Sequence, residues 1–535
     1  MVFISYSSKD VEEVKVLVDF VETTGQKCWY SDRDLDKSKG DWMDVLMCTL
    51  KQSDKVVVYL TDNAIKSGEV KNEVSNASAE GKNVIPLIVQ DIRIPESYIY
   101  LIRKYEWINA YEMEDNTVKD ILRKRLLENY NEMRKLFWKT QQTKDFENFV
   151  TSVMKRYYGP HFFTDINKKD FGVFCVSGKE LHSVQSIKSF DCLCDFDNSD
   201  LSDFDICDHQ SYTQNKWYAE YSKILEGKIR YPNRPGYMLD EITTDQDGNF
   251  EKFRVHIGTF AENVYSTHVL EYELYKAFLE FKDADLDDID VWSKLKEALP
   301  IRNKMHKDVL GASKNDFDKE MSHSLLKGIG RDSLLSVQML VVVKSKRTHQ
   351  YEVKIIQRSN DVVIKPGIYQ FIPSGGFEIL NDSDDDIYDD LELAENFSPG
   401  CAIFREYLEE LFNVPEFEGG GTGSIEERLL KDKRIVAIED MLSKGDAELQ
   451  FLGSVIDLAG LRHELSFVLV IHDESYSETQ FLANEESKKG AIHNIPIQDF
   501  DKNTPIWKKI HGPSAAMWNL FKQTQLYHTL MSKYQ

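Results

Sequence analysis

The 535-residue chain has no apolar run long enough to cross a bilayer, so we expect no membrane partner. No basic segment precedes the first strand-like run, at residues 2–6, and the sequence therefore predicts no secretory signal. Cysteine is also scarce: seven in so long a chain do not make a disulfide scaffold. These absences together predict a cytoplasmic protein in a reducing compartment.

Positive charge is in deficit as well. Lys and Arg number 66 against 90 Asp and Glu, which gives a formal net charge of −24. Since there is no long Lys/Arg run either, we expect no nucleic-acid partner. The acidic residues concentrate in segments 191–208 and 381–390. A solvated surface is the ordinary interpretation of such segments, and binding of a divalent ion is the alternative.

The usual phosphate-binding loops are missing. The three glycines at 419–421 are followed by Thr-Gly-Ser, where a Walker loop requires Gly-Lys-Ser or Gly-Lys-Thr. No G-x-G-x-x-G motif opens a helix, so a Rossmann fingerprint is absent too. Nucleotide binding by either loop is therefore not predicted.

The first 130 residues alternate between strand and helix patterns. Strands are predicted at 2–6, 26–30, 55–60 and 83–89, with a short one at 105–110, and the strand at 55–60 is nearly continuously apolar. Such β-α repeats predict a parallel sheet covered by helices on both faces. After the third of these strands, Val70, Val74 and Ala77 share one face of a helix. Glu73 lies beside that face, near the strand ends where an open α/β sheet forms its ligand cleft.

Several motifs in this region resemble those of bacterial TIR domains, in order and at suitable spacing over residues 1–135. They are Phe3-Ile4-Ser5-Tyr6-Ser7-Ser8-Lys9-Asp10, Trp29-Tyr30-Ser31-Asp32-Arg33-Asp34-Leu35 with Gly40 and Trp42, the strand at 53–61, Ser67-x-x-Val70-x-x-Glu73, and Ile85-Pro86-Leu87. The resemblance implies a flavodoxin-like domain that takes NAD as its substrate. It also implies cleavage of the bond between nicotinamide and ribose, with Glu73 as the catalytic carboxylate.

The chemistry gives a reason for a carboxylate at this position. Breaking the glycosidic bond builds positive charge on the ribose, and a nearby anion stabilises that transition state. Nicotinamide departs neutral from a cationic ring, so a second acid is not required. Further candidates to line the cleft are Tyr6, Ser7, Arg33, Asp34 and Trp42.

Plainer interpretations stand beside these. A glutamate early in a helix can simply favour the helix dipole, Trp42 can pack its helix, and Arg33 with Asp34 can form a surface ion pair. Some TIR domains, moreover, are adaptors that only bind other TIR domains.

Near the C-terminus, Pro373-Ser-Gly-Gly-Phe-Glu378 is followed by a helix that Ser398 and Pro399 begin. Within that helix Glu406, Glu409 and Glu410 stand at i, i+3 and i+4, which is a face suited to Mg²⁺. With Arg405 these segments resemble the Nudix box, and residues 335–535 are expected to form a Nudix-like α/β/α domain. Two departures are a long insert between loop and helix, and Phe412 where the family has glycine. Hydrolysis, ligand sensing and a solvated helix face all remain open for the three glutamates.

The middle of the chain is less informative. A helical connector is expected over 136–160 and a mixed α+β region over 161–334, without resemblance to a known family. Four residues there could ligate zinc: Cys192, Cys194, Cys207 and His209. The first pair is C-x-C within a strand-like alternation, so ordinary strand cysteines are the alternative.

The leading hypothesis is a bacterial antiphage effector that hydrolyses NAD to ADP-ribose or cyclic ADP-ribose. In it, the Nudix-like part senses a nucleotide-type ligand and controls activity through self-association of TIR domains. Two alternatives are a non-catalytic TIR scaffold and a Nudix hydrolase that acts on ADP-ribose-type nucleotides.

Overall fold

The chain forms two compact units, Met1–Leu136 and Phe137–Gln535. The sequence-based boundary at 334–335 falls inside the second unit. The computed structural model describes residues 1–24, 26–35, 42–103, 105–127, 130–178, 184, 186–196, 216–225, 235–310, 313, 316–358, 367–379, 397–414, 425–479, 481 and 492–533.

The N-terminal unit is built on a sheet of five parallel strands in the order β2-β1-β3-β4-β5. The strands are β1 (Val2–Ser5), β2 (Cys28–Trp29), β3 (Lys55–Leu60), β4 (Asn83–Ile88) and β5 (Ile108–Asn109). All residues of β3 except Tyr59 are buried, as a strand covered on both faces requires. The predicted parallel sheet is thus confirmed.

Helices cover this sheet on both sides. They are α1 (Val11–Thr23), α2 (Ser31–Asp34), α3 (Trp42–Gln52), α4 (Asp62–Lys66), α5 (Gly68–Ala79), α6 (Glu96–Ile102) and α7 (Asp115–Leu127), with 3₁₀ turns at Ser8–Asp10 and Ala110–Glu112. Because side chains alternate along a strand, Phe3 joins the core that contains α5, whereas Val2 and Ile4 join the core that contains α1 and α7.

The C-terminal unit centres on a mixed sheet of eight strands. Six follow one another in the order β14-β13-β12-β17-β16-β8, while β15 pairs with β12 and β18 pairs with β13. The strands of the unit are β6 (Thr164–Ile166), β7 (Lys169–Phe171), β8 (Val173–Ser177), β9 (Cys194–Phe196), β10 (Pro235–Thr244), β11 (Phe250–Thr259), β12 (Ser336–Lys344), β13 (Tyr351–Gln357), β14 (Tyr369–Phe371), β15 (Ser374–Gly376), β16 (Ala447–Asp457), β17 (Arg462–Ile471) and β18 (His493–Pro496).

Strand β8 comes from the middle of the chain and completes the C-terminal sheet. It runs antiparallel to β16, with Ser177 opposite Gly453 and Val173 opposite Asp457. Gly453 has φ of 129°, and a Cβ there would lie 2.0 Å from the carbonyl oxygen of Val176. Glycine is therefore what lets β16 bulge while it keeps β8 at its edge.

Helices make up much of the rest of this unit. They are α8 (Tyr130–Thr140, which begins in the first unit), α9 (Lys144–Tyr158), α10 (Lys216–Leu225), α11 (Phe260–Asn263), α12 (Val269–Phe281), α13 (Ile289–Glu297), α14 (Pro300–Met305), α15 (Lys307–Leu310), α16 (Phe317–Leu325), α17 (Pro399–Phe412), α18 (Ile425–Lys431), α19 (Lys433–Lys444), α20 (Ile497–Phe500), α21 (Thr504–Lys509), α22 (Gly512–Lys522) and α23 (Gln525–Ser532). One turn of π-helix, Val264–His268, precedes α12, and short 3₁₀ helices occur at Pro160–Phe162, Ile187–Leu193 and Glu474–Glu478.

On one face, α22 places the fully buried Trp518 against β12, β13 and β17. In the part of the chain that is described, no helix has both the length and the apolar character that crossing a membrane requires.

Candidate functional site

The carboxyl ends of β1 and β3 lie side by side in the N-terminal sheet. From β1 the chain continues to β2 on one side, whereas β3 pairs with β1 on the other. The strand order therefore reverses direction between β1 and β3. In open α/β sheets of this order, ligands bind in the crevice at that point.

Helix α5 brings Glu73 to this crevice. Ser67 caps the helix by accepting a hydrogen bond of 3.3 Å from the backbone N–H of Val70. Val70, Val74 and Ala77 are buried, as their spacing predicts. That packing fixes the rotation of the helix and sets Glu73, which is only 8 % exposed, against the end of β1.

Ser5, the last residue of β1, donates a hydrogen bond of 2.6 Å from Oγ to Oε2 of Glu73. Burial raises the pKa of Glu73 from its ordinary 4.5 to about 7, a rise that the Ser5 hydrogen bond opposes and the charge of Glu69 reinforces. The pKa of Tyr98 on α6 is raised by burial and also by the charge of Glu73. The crevice thus holds a desolvated carboxyl group that can exist in either protonation state near neutral pH.

A second buried carboxylate, Asp10, connects the segments that follow β1 and β3. Asp10 is 6 % exposed and accepts hydrogen bonds from Thr61 Oγ1 at 2.5 Å and from Asn63 Nδ2 at 2.6 Å. These contacts join the segment after β1 to the segment after β3. Sequence reasoning assigned no site role to Ser5 or Asp10; the one available signal was the position of Ser5 at the end of a predicted strand.

Tyr6 and Ser7 follow Ser5 directly and are both buried. The hydroxyl oxygen of Tyr6 accepts hydrogen bonds from Ser31 Oγ at 3.1 Å and from the backbone N–H of Asp32 at 3.0 Å. Ser7 caps the 3₁₀ turn that begins at Ser8. Tyr6 therefore fixes the start of α2 beside the crevice.

Arg33 and Asp34 form an ion pair, with Nε 2.9 Å from Oδ1. Arg33 also reaches Glu22 at 2.9 Å and the carbonyl oxygen of Cys28 at 2.7 Å. None of these described contacts joins either residue to Glu73. Trp42 begins α3, but its side chain lies outside the described part of the structure.

In the C-terminal unit, Arg405 on α17 ties the Gly-Gly loop to the helix. Its Nη1 donates to the carbonyl oxygen of Glu378, and its Nη2 donates to that of Gly376, both at 3.1 Å. The same guanidinium lies 3.1 Å from Glu406 and 3.9 Å from Glu409. The loop and the helix therefore meet, although a long insert separates them in sequence.

The other contacts between loop and helix are equally close. A Cβ on Gly375 would lie 2.1 Å from Cδ of Glu406, so a larger residue there would require that carboxyl group to move. Glu410 accepts a hydrogen bond of 2.7 Å from the backbone N–H of Ser374 and is buried. The predicted loop–helix pair is thus present, and its glutamates face Arg405 and the loop.

Carboxylates suit Mg²⁺, and in this structure Glu406 and Glu409 lie beside the Arg405 guanidinium. Among the described residues, no three His, Cys, Asp or Glu side chains are placed so that they could hold an ion. Of the zinc candidates, Cys192 is exposed and Cys194 lies in β9, whereas Cys207 and His209 lie outside the described residues. The acidic segment 381–390 also lies outside them.

Residues 2–124 match the family model described as TIR domain. A search of curated proteins gives no match. The N-terminal unit is a TIR domain, with the flavodoxin-like strand order described above.

Three solved structures are similar to parts of the chain. The TIR domain of the Toll-related receptor TRR-2 from Hydra magnipapillata has 17% identity over 23% of this chain and 96% of its own, with a TM-score of 0.20. The NUDIX domain of Shewanella oneidensis NrtR, complexed with ADP ribose, has 12% identity over 41% of this chain and 96% of its own, with a TM-score of 0.21. A MutT/nudix family protein from Enterococcus faecalis has 16% identity over 36% of this chain and 55% of its own, with a TM-score of 0.17.

Proposed function

We propose that the TIR domain is an NAD glycohydrolase and that Glu73 is its catalytic carboxylate. The observation that carries the proposal is the hydrogen bond between Ser5 and Glu73, which sets a buried carboxyl group at the point where the strand order reverses. The motif match at Ser67-x-x-Val70-x-x-Glu73 supports the same role.

The reaction breaks the C–N bond between ribose and nicotinamide. The bonding electron pair leaves with nicotinamide, which becomes neutral, and the ribose carbon becomes electron-deficient. Ionised Glu73 stabilises that developing positive charge, an effect that is strong in a desolvated site. Attack by water, with loss of a proton, gives ADP-ribose, and attack by the adenine ring gives the cyclic product.

The test is to incubate the full chain with NAD and to separate the products by chromatography. Glu73→Gln keeps the shape of the side chain but cannot carry the charge, so turnover should fall by about a hundredfold or more. Glu69→Gln, on the same helix, is the matched control and should retain turnover. NAD cleavage at the normal rate by the Glu73→Gln protein would overturn the assignment.

The C-terminal unit is proposed to control this activity by sensing a nucleotide-type ligand. Self-association of TIR domains then completes the active site, and loss of NAD arrests a bacterial cell infected by phage. Support comes from the presence of a TIR domain and a Nudix-like loop–helix pair in one chain. Measuring NAD turnover and particle mass together, with and without added nucleotides, tests this control; turnover that no nucleotide changes would contradict it.

The scaffold alternative makes a different prediction. If the TIR domain only assembles, no condition should give NAD turnover, and Glu73→Ala should leave the particle mass unchanged.

A second candidate activity is Nudix hydrolysis of ADP-ribose-type nucleotides with Mg²⁺ at Glu406, Glu409 and Glu410. The contacts of Arg405 with both the Gly-Gly loop and α17 favour it, because they assemble the two halves of the box. AMP release from ADP-ribose that needs Mg²⁺ and vanishes in Glu409→Gln/Glu410→Gln would support it. Absence of AMP release at saturating Mg²⁺ would eliminate it.

A further inference from the structure

A cavity of about 430 Å³ opens at the end of β12 in the C-terminal unit. The charged and amide groups in its wall are Lys346, Arg347, Glu352, Lys354, Glu478 and Asn494. They come from four places in the fold: the turn after β12, β13, the 3₁₀ helix Glu474–Glu478, and β18. The volume is in the range of small-molecule sites.

Lys354 is the unusual group in this wall, since it is only 4 % exposed. Its Nζ donates a hydrogen bond of 2.9 Å to Oδ1 of Asn494 and lies 4.5 Å from the centre of the Phe481 ring. Burial lowers the pKa of this amine to about 8. Within the described ranges no carboxylate forms an ion pair with it, although the charge of Glu352 opposes the fall in its pKa. A buried charge of this kind is costly unless an anion accompanies it.

The rim of the cavity adds a second uncompensated cation. Glu478 is engaged by Lys346, whose Nζ lies 2.8 Å from both carboxylate oxygens. Glu352 accepts a hydrogen bond of 3.3 Å from the hydroxyl of Thr348. Arg347 is exposed and has no acidic partner among the residues that the structure describes. The cavity therefore presents two cations, one on its wall and one on its rim.

A series of aromatic contacts links Lys354 to the Nudix-like helix. The Phe481 ring that contacts Lys354 lies 5.4 Å from the ring of Phe412, at the end of α17. Phe412 in turn lies 5.5 Å from Tyr407, whose hydroxyl is 2.5 Å from that of Tyr476. Phe412, the residue that departs from the Nudix box, thus packs against the same ring that contacts Lys354.

We infer that this cavity binds a phosphate-bearing dianion, with Lys354 and Arg347 as its cationic contacts. These two cations attract a phosphate monoester, whose charge is close to −2 at neutral pH, and together they outweigh the single Glu352 carboxylate, which no cation pairs directly among the described residues. Arginine offers paired donors and lysine a point charge, and both suit phosphate oxygens. The inference rests on the proposed function, in which the C-terminal unit senses a nucleotide-type ligand, and it names the cavity where that ligand binds.

The experiment is isothermal titration of the full chain, in EDTA, with ADP-ribose, AMP, inorganic phosphate and succinate. Asn494→Asp places a carboxylate beside Lys354 at an exposed position, and Arg347→Ala removes the rim cation. Each should weaken binding of AMP or ADP-ribose about tenfold or more, because a charge-assisted contact is lost or opposed. Lys502→Met removes a lysine whose side chain is 79% exposed and should leave the affinity unchanged.

The four ligands distinguish the possible sources of the anion. Binding of inorganic phosphate as tightly as AMP would assign the cavity to free phosphate, whereas tighter AMP or ADP-ribose binding would assign it to a nucleotide. Equal affinity for succinate, or affinities that neither variant changes, would overturn the inference. NAD turnover measured on the same preparations distinguishes the two proposals. Protein that has no NAD turnover but binds AMP, with weaker binding in the two variants, refutes the glycohydrolase and leaves the binding site standing.

Discussion

Ser5 and Glu73 are 68 residues apart in sequence and share a buried hydrogen bond of 2.6 Å. One ends the first strand and the other lies in the second turn of α5, so the bond ties that helix to the end of β1. It holds the carboxyl group in one orientation and opposes the rise in its pKa that burial causes. Activity, pH dependence and stability should therefore all respond to this pair.

The rate of NAD cleavage should rise with pH and level off above about 7. Only the ionised form of Glu73 stabilises positive charge, and its pKa in the folded protein is about 7. Below that value kcat/KM should fall about tenfold for each pH unit. A profile of kcat/KM from pH 5.5 to 8.5 makes the measurement, and a flat profile would contradict the assigned role.

Ser5→Ala should move that profile to higher pH. The Ser5 hydroxyl hydrogen-bonds the carboxylate and lowers its pKa, so its removal leaves burial less opposed. A hydrogen bond to a charged group of this kind corresponds to about one pH unit or somewhat more. Ser8→Ala, at an exposed position near the same strand, is the control. If both variants had the wild-type midpoint, the hydrogen bond would have no part in setting the pKa.

The free energy of unfolding of the wild-type protein should fall as pH rises, and Glu73→Gln should make that fall smaller. Below pH 4.5 the group is protonated in both folded and unfolded chains and has no effect. Between 4.5 and about 7 the folded state keeps the proton and the unfolded state releases it, so the free energy of unfolding falls, by about 3 kcal/mol in total. Urea unfolding at pH 5 and pH 8 measures the decline, which should be smaller in Glu73→Gln than in wild type or Glu69→Gln.

Arg405→Met should destabilise the C-terminal unit by about 3 kcal/mol. The change removes hydrogen bonds to the carbonyl groups of Gly376 and Glu378 and takes a positive charge away from the Glu406 and Glu409 carboxylates. Lys431→Met breaks an exposed pair with Glu427 and should change the free energy of unfolding by less than about 1 kcal/mol. Urea titration of both variants tests the contrast, and similar midpoints would show that Arg405 is not structural.

Local patterns predicted the strands of the first unit well, because a buried parallel strand is continuously apolar. The expected strand at 55–60 matches β3, and that at 83–89 exceeds β4 by one residue. Ser5 was not predicted as a site residue because its role depends on a contact with a helix far along the chain. The Asp10 contacts with Thr61 and Asn63 depend likewise on how two loops meet in space.

In the C-terminal unit, the spacing of Arg405 and the glutamates predicted the loop–helix pair. It could not show that Glu406 and Glu409 lie against Arg405, since i, i+3 and i+4 spacing gives a helix face but not what covers it. The sequence also could not predict that Ser177 pairs with Gly453, because pairing between strands so far apart in sequence leaves no local pattern. The cavity around Lys354 also draws its wall from segments far apart in sequence.

The pairing of β8 with β16 has a consequence for the order in which the chain folds during synthesis. Domains generally fold as units from the N-terminus as they leave the ribosome. The TIR domain needs only residues up to about 136, whereas β8 must wait for β16 to be made before its edge is paired. Each new molecule therefore passes through a stage at which the TIR domain is complete and the unit proposed to control it is not.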